Sequence, residues 1–308
     1  MVSVIVCTYN RSKHLKTVLS SLAQLTSPAG ADSWELILVD NNSKDDTAAI
    51  VETFAAKSGF KIRYVFETKQ GLSHARNAGV RAAKGDIIAF TDDDVTVDSR
   101  WLVELVRTFE RFDSMGVGGK VIPLWTTQKP AWLELSGPDS LHSGTVVSFD
   151  HGEEPRELNC APFGANMAFK KEAFERHGFF RADFGRKGND LILGEDTEFG
   201  MRLLRQGDRI AYGPSAIVYH PVPEDRLNKR YFQSHYFNYG KSTARMNGFP
   251  ANVVRWFGVP RYLFRTLLGH ICRWLFTLDP RLRFRRKLEV CERLGEIRGA
   301  RHLSNELK

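Results

Sequence analysis

The sequence is poor in the features that mark exported, zinc-clustered or membrane-spanning proteins. Its 308 residues hold four cysteines, Cys7, Cys160, Cys272 and Cys291, far apart, with no CxxC and no Cys/His cluster. That excludes a disulfide framework and a structural zinc site, and points to reduced thiols in a cytoplasmic setting. The amino terminus runs straight into Val2-Ser3-Val4-Ile5-Val6, without the basic, apolar and small-residue segments of a secretory signal, so export is not expected. No uncharged apolar run is long enough to cross a bilayer. Internal repeats and low-complexity tracts are also missing, which removes solenoids and disordered arrays.

What is present describes a packed enzyme-sized body. Apolar residues make up 42% and charged residues 26% of the chain, enough for a large core in one domain with a sizeable appendage. The net charge of +8 is unevenly spread: residues 226–308 carry 18 Lys and Arg against 5 Asp and Glu, whereas residues 1–225 carry 26 against 31. A mildly acidic body followed by a basic, aromatic-rich tail suggests chemistry in one part and an anionic surface met by the other.

Through the first 120 residues, β-branched runs alternate with helical spacing, as in strand-helix-strand units of a mostly parallel sheet. Strands are expected at 2–7, 34–39, 62–66 and 87–90, each apolar enough to be covered on both faces. Helices are expected at 13–25, 46–56, 71–83 and 99–112, followed by a strand at 115–121. Residues 122–157 lose this pattern to Pro, Gly, Ser and isolated Trp, and read as a loop-rich insertion that shapes specificity together with 178–194. Further on, a strand is expected at 164–169, helices at 171–177 and 195–206, and an extended run at 210–219 interrupted by Gly213-Pro214.

Ligands of open parallel sheets lie beyond the carboxyl ends of the strands. Here those ends are polar: Thr8-Tyr9-Asn10-Arg11, Asp40-Asn41-Asn42-Ser43, Gly71-Leu72-Ser73-His74-Ala75-Arg76-Asn77 and Thr91-Asp92-Asp93-Asp94. Three adjacent carboxylates repel one another unless a cation compensates, and hard oxygen ligands suit Mg²⁺ or Mn²⁺ shared with substrate phosphates. The alternative is a solvated turn capping the next helix through Asp98 or Ser99.

These segments, with Gly85-Asp86-Ile87-Ile88-Ala89-Phe90 before the acidic run and Gly194-Glu195-Asp196-Thr197-Glu198-Phe199 much later, resemble the family 2 glycosyltransferases. The resemblance covers roughly the first 220 residues in family order. It implies an α/β GT-A nucleotide-diphospho-sugar transferase fold: a catalytic domain over 1–225, with a nucleotide-binding half at 1–120 and an acceptor-binding half at 121–225. Residues 226–308 remain as a basic amphipathic helical extension. It also implies an inverting transfer from a UDP- or GDP-linked sugar to a glycan or lipid-linked glycan hydroxyl.

By the same resemblance Thr8, Asn10, Arg11, Asp40, Asn42, Arg76, Asp92 and Asp93 border the nucleotide sugar. Asp92 and Asp94 look like the DxD pair, and Asp94, Asp92 and His220 would hold Mg²⁺ or Mn²⁺. Asp196 is the implied base, taking the acceptor proton on the face opposite the leaving group, with Glu195 beside it. Both acids could instead stabilise the start of a helix. Asn166 resembles a sugar- or acceptor-facing strand start, or is a turn residue. Trp125, Trp132 and Phe163 are candidates for stacking on sugar rings, or for core packing.

In the tail, residues 262–278 place Leu263, Phe264, Leu267, Leu268, Ile271, Trp274, Leu275 and Leu278 on one helical stripe opposite Arg261, Arg265, His270 and Arg273. With the basic run at 281–287, the stretch 256–287 reads either as an in-plane helix on anionic lipid at the inner membrane face, or as a helix packed on the protein or a second subunit. Nucleic acid is not expected, because no recognition motif accompanies the charge. The competing function class is a noncatalytic nucleotide-sugar-binding scaffold tethered by the tail. A nucleotidyltransferase lacks its glycine-rich basic loop after the first strand.

Overall fold

The computed structural model describes residues 1–28, 33–135, 141, 143–185, 193–250 and 252–306. Residues 136–140 and 186–192, inside the two stretches expected to shape specificity, lie outside the described residues. The chain divides into two compact units: Met1–Leu124, Val147–Asn189 and Glu195–Pro221 form one, and Trp125–Val146, Asp190–Gly194 and Val222–Lys308 the other.

The first unit opens with β1 (Val2–Thr8), α1 (Ser12–Leu22), β2 (Trp34–Asp40), α2 (Thr47–Ser58), β3 (Ile62–Phe66), α3 (Leu72–Ala82) and β4 (Ile87–Asp92). Then follow β5 (Thr96–Val97), α4 (Trp101–Phe112), β6 (Gly116–Trp125), β7 (Arg156–Leu158), β8 (Asn166–Lys170), α5 (Lys171–His177), α6 (Glu195–Arg205) and β9 (Ile210–Val222). The described strands form one nine-stranded sheet, ordered β3-β2-β1-β4-β8-β6-β9-β5, with β7 paired to β9. Pairing is parallel from β3 to β4 and antiparallel at β4 to β8, β8 to β6, and where β5 and β7 meet β9.

Alternation along each buried strand feeds two cores, one on each face of the sheet. Val4, Val6, Leu36, Leu38 and Ala89 face one side, where α1 adds Leu15, Val18 and Leu19 and α4 adds Trp101, Leu105 and Phe109. Ile5, Ile37, Val39, Ile88 and Phe90 face the other, against Ala75 of α3, Phe174 of α5 and Phe199 and Leu203 of α6. Two expectations change. Among the described strands β3 pairs only with β2, at the sheet's edge, and its face bearing Tyr64 and Phe66 is exposed, so the strand is not covered on both sides. β9 runs through Gly213-Pro214 without a break, because a proline's φ suits extended chain and Gly213 gives room for Thr108 of α4, whose Oγ1 would lie 2.5 Å from an added Cβ.

The second unit contains α7 (Lys229–Asn247), a hairpin of β10 (Arg255–Trp256) and β11 (Val259–Pro260), α8 (Arg261–Phe276) and α9 (Pro280–Glu306). Helices α7 and α9 approach backbone to backbone: a Cβ on Gly240 would stand 2.0 Å from the carbonyl oxygen of Glu292, and one on Gly295 1.9 Å from that of Phe237. Val222, Phe232, Phe284 and Leu288 form this unit's main apolar cluster.

Candidate active site

Sheet register sets the ends of three parallel strands level. Thr8, the last residue of β1, stands beside Asp40 of β2, and Cys7 stands beside Asp92 of β4. The polar residues that follow these strands therefore gather at one edge of the first unit.

The acidic run after β4 is divided by its partners. Asp93 turns inward and accepts Thr8 Oγ1 at 2.7 Å and Arg11 Nη1 at 2.9 Å. Burial pushes its carboxyl up to about 7; Arg11 opposes the rise and Asp94 adds to it. Arg11 also reaches Asp94 Oδ2 at 2.5 Å, and although burial works against its charge, Asp93 and Asp94 hold its pKa above the usual arginine range.

Asp92, Asp94 and His220, the last brought in by β9, each offer one ligand atom, and these atoms lie within 4.8 Å of one another. His220 Nδ1 is 2.9 Å from the Pro221 carbonyl, which can only accept, so that nitrogen carries the proton. Nε2, 3.7 Å from Asp94 Oδ1, is the ring nitrogen that faces the carboxylates and the one placed to bind a metal. Two carboxylates and an imidazole fit a hard or borderline divalent cation, with the imidazole favouring Mn²⁺ over Mg²⁺.

At the end of β2, Asp40 is buried and accepts Ser43 N at 2.8 Å and the Tyr64 hydroxyl at 2.6 Å. Burial, and then Asp40, push the Tyr64 phenol upward. Tyr64 escapes a sequence reading because β3 looks purely structural; its register opposite Leu38 puts it on the same face as Asp40. Asn10 and Asn42 both adopt left-handed backbone (φ 50° and 63°), and Asn10 joins the loops after β1 and β2. Asn10 Oδ1 accepts Lys44 N at 2.7 Å, and Asn42 Oδ1 accepts Lys44 Nζ at 3.0 Å.

The later acidic pair is drawn to the same place by Arg76. This guanidinium, only 4% exposed, donates from Nη1 to Glu195 Oε1, and its Nη2 lies 3.9 Å from Asp92 Oδ1. Burial disfavours its charge, yet Glu195, Asp196 and Asp92 keep its pKa above the usual range. Its carbon centre stands 6.0 Å and 5.7 Å from the ring centroids of Phe90 and Phe180.

Asp196, half-buried in the first turn of α6, accepts Gly164 N at 2.7 Å and Thr197 N at 2.7 Å. Gly164 is itself part of the site: an added Cβ would fall 2.3 Å from Arg76 Nη2 and 3.0 Å from Asp196 Oδ2. Its sequence signal was only its place at the start of an expected strand.

Four candidates are engaged elsewhere. Asn166 is fully buried; its amide donates to the carbonyls of Lys120 at 2.9 Å and Ala216 at 2.8 Å and accepts Trp101 Nε1 at 2.8 Å. Such bonding makes it a framework residue holding β6, β9 and α4 together. Trp125 and Trp132 belong to the second unit's apolar cluster, with Trp132 edge-on to Phe232 at 5.0 Å and to Phe284 at 5.2 Å. Phe163 leans on Phe149 at 4.9 Å.

Comparison with known proteins gives a consistent picture. A sequence model of the family described as "Glycosyl transferase family 2" matches residues 3–178. The chain is 30% identical over 252 residues to a glucosyl-dolichyl phosphate glucuronosyltransferase of Haloferax volcanii, covering 78% of this chain and 76% of that one. It is 32% identical over 251 residues to the succinoglycan biosynthesis protein ExoM of Rhizobium meliloti, covering 81% and 76%. Among solved structures, the mannosyltransferase PcManGT of Pyrobaculum calidifontis, in complex with GDP-Man and Mn²⁺, shares the fold with a TM-score of 0.58 at 17% identity, over 100% of this chain and 75% of that chain.

Proposed function

Because the chain belongs to glycosyl transferase family 2 and is a glycosyltransferase, we propose that it moves a sugar from a UDP- or GDP-linked donor to a glycan or lipid-linked glycan hydroxyl by a single inverting displacement. The observation that carries this reading is the reach of Arg76 from Asp92 to Glu195, the neighbour of the candidate base Asp196, which supports one site shared by the candidate metal triad and that base.

In this scheme Thr8, Asn10, Arg11, Asp40, Asn42, Arg76, Asp92 and Asp93 form the nucleotide side, within a nucleotide-binding half at 1–120 and an acceptor half at 121–225. Asp92, Asp94 and His220 hold Mn²⁺ or Mg²⁺, and a cation there would offset the charge on the departing nucleoside diphosphate. Asp196 takes the acceptor proton, aimed by the Gly164 and Thr197 amides that hold its carboxylate. Glu195 acts through Arg76, fixing the guanidinium against Asp92. The relatives' names support both acceptor classes: a dolichyl phosphate sugar for one and a polysaccharide pathway for the other. Four unpaired cysteines support a cytoplasmic location.

A donor screen with Mn²⁺ and a mixed acceptor panel, reading released nucleoside diphosphate, tests the assignment. An α-linked donor should yield a β-linked product by NMR; retention would remove Asp196 as the base. The scaffold alternative predicts nucleotide binding with no diphosphate released by any donor and acceptor pair.

A further inference from the structure

Among the described residues, the exposed large apolar side chains concentrate between Val254 and Leu278. Phe257 is 88% exposed, Phe276 83% and Leu278 94%, and Trp256, Leu268 and Leu275 are each more than half exposed. Phe257 stands at the tip of the β10–β11 hairpin in left-handed backbone (φ 51°), a conformation rarely adopted by a bulky residue. A phenyl ring displayed there contributes nothing to a core.

The hairpin and α8 present one surface. Trp256 lies 6.3 Å from Phe264 between centroids, and the Arg261 guanidinium sits 5.7 Å from the Trp256 ring. The inner side of α8 is occupied by α9: Leu263 is buried, His270 Nδ1 is 3.2 Å from Glu289 Oε2, and Lys287 Nζ lies 5.9 Å from the Trp274 ring. The apolar stripe read from the sequence is therefore wider than the face that packs. Leu263 is consumed internally, while Leu268 and Leu275, seven residues apart on one stripe, remain outside.

Arg255, Arg261, Arg265, Arg273, Arg281 and Arg283 are all exposed, and between residues 254 and 283 the single acidic residue is Asp279. A second copy docking through the same face would bring arginines against arginines. Nucleic acid would satisfy the arginines and leave the protruding rings in water. No described helix is long and apolar enough to cross a membrane. We propose that the hairpin tip and the outer face of α8 dock on an anionic lipid bilayer, the rings entering the headgroup boundary and the arginines pairing with lipid phosphates.

Co-flotation of the full chain with vesicles tests this without donor or acceptor, so its result stands apart from the transfer assay. The wild-type chain should float with vesicles of phosphatidylcholine and phosphatidylglycerol in equal parts. It should not float with phosphatidylcholine alone, and added salt should release it. Phe257→Ser with Phe276→Ser should weaken flotation about tenfold, as should Arg265→Glu with Arg273→Glu. Both pairs change exposed side chains, and unchanged circular dichroism melting would show that the fold is kept. The proposal is overturned by no flotation, by equal flotation with both vesicle types, or by a solution dimer that the Phe257 and Phe276 changes convert to monomer.

Discussion

Arg76 Nη1 donates to Glu195 Oε1 across 119 residues of sequence, and the other terminal nitrogen of the same guanidinium faces Asp92. A buried pair of this kind organises more than it stabilises, and removing one member strands the other's charge at a cost of about 3–5 kcal/mol. Arg76→Met should therefore lower unfolding free energy by about 3 kcal/mol in urea, and adding Glu195→Leu should restore most of it. Equal losses in the single and double variants would show that the pair is not the source of the effect.

Gly164 is where the least added volume should do the most catalytic harm. A methyl at this position collides with the Arg76 guanidinium and crowds the Asp196 carboxylate. Displacing a catalytic group by on the order of 1 Å costs about 100-fold in rate. Gly164→Ala should accordingly lose about 100-fold in kcat with a small change in melting temperature. A fully active variant would separate Asp196 from the chemistry.

The triad of Asp92, Asp94 and His220 makes a metal-binding prediction that needs no substrate. Asp94→Ala should abolish Mn²⁺ binding by calorimetry or electron paramagnetic resonance, since Asp94 is a proposed ligand. His220→Ala should weaken Mn²⁺ by at least the roughly tenfold seen when an outer partner of a ligand is lost, and Mg²⁺ by less. Unchanged Mn²⁺ affinity in both would place the ion elsewhere.

In α9, burial raises the carboxyl pKa of Glu292, and Glu296 nearby adds to the rise. Burial likewise raises that of Glu296, against Arg293. Because the folded form holds these protons more tightly, the stability they confer is fully present below the ordinary value of 4.5 and is lost as pH rises through the raised folded values. Urea midpoints of Glu292→Gln should exceed the wild type at neutral pH, with a smaller decline above pH 4.5. Parallel pH profiles for the two proteins would contradict this.

The crossing of α7 and α9 gives a purely steric case. An alanine at Gly295 sets its Cβ 1.9 Å from the Phe237 carbonyl oxygen, so the helices must separate. Overpacking of this kind costs typically about 1–3 kcal/mol. Gly295→Ala should destabilise by at least that amount in chemical denaturation, and a neutral result would mean that the two helices do not meet closely in solution.

The residues themselves explain what could be read from the sequence. The first half was legible because Val2 to Val6, Leu36 to Val39 and Ile87 to Phe90 are apolar runs separated by helical spacing, and the polar residues after them had to lie at the strand ends. Glu195 was expected at a helix start, where α6 begins, and His220, expected just after an extended run, lies within β9.

Long-range bonds account for most of what was hidden. Asn166 reads as a sugar- or acceptor-facing strand start or a turn residue until its amide is seen joining three elements, and Tyr64 looks like a packed strand residue until β3 proves to be the sheet's edge. Gly164 has no side chain with which to announce itself. In the tail, periodicity identified α8 but could not say how much of its stripe would be covered, because that depends on α9 and on glycines that bring α9 against α7.

The most direct measurement is Mn²⁺-dependent release of nucleoside diphosphate by the wild type, Asp94→Ala and Asp196→Asn, assayed with the same donor and acceptor. Shared work by a metal-held diphosphate and a carboxylate base predicts release by the wild type and a fall of about 100-fold or more in each variant, with Mn²⁺ binding kept in Asp196→Asn and lost in Asp94→Ala. Undiminished release in both variants would contradict it.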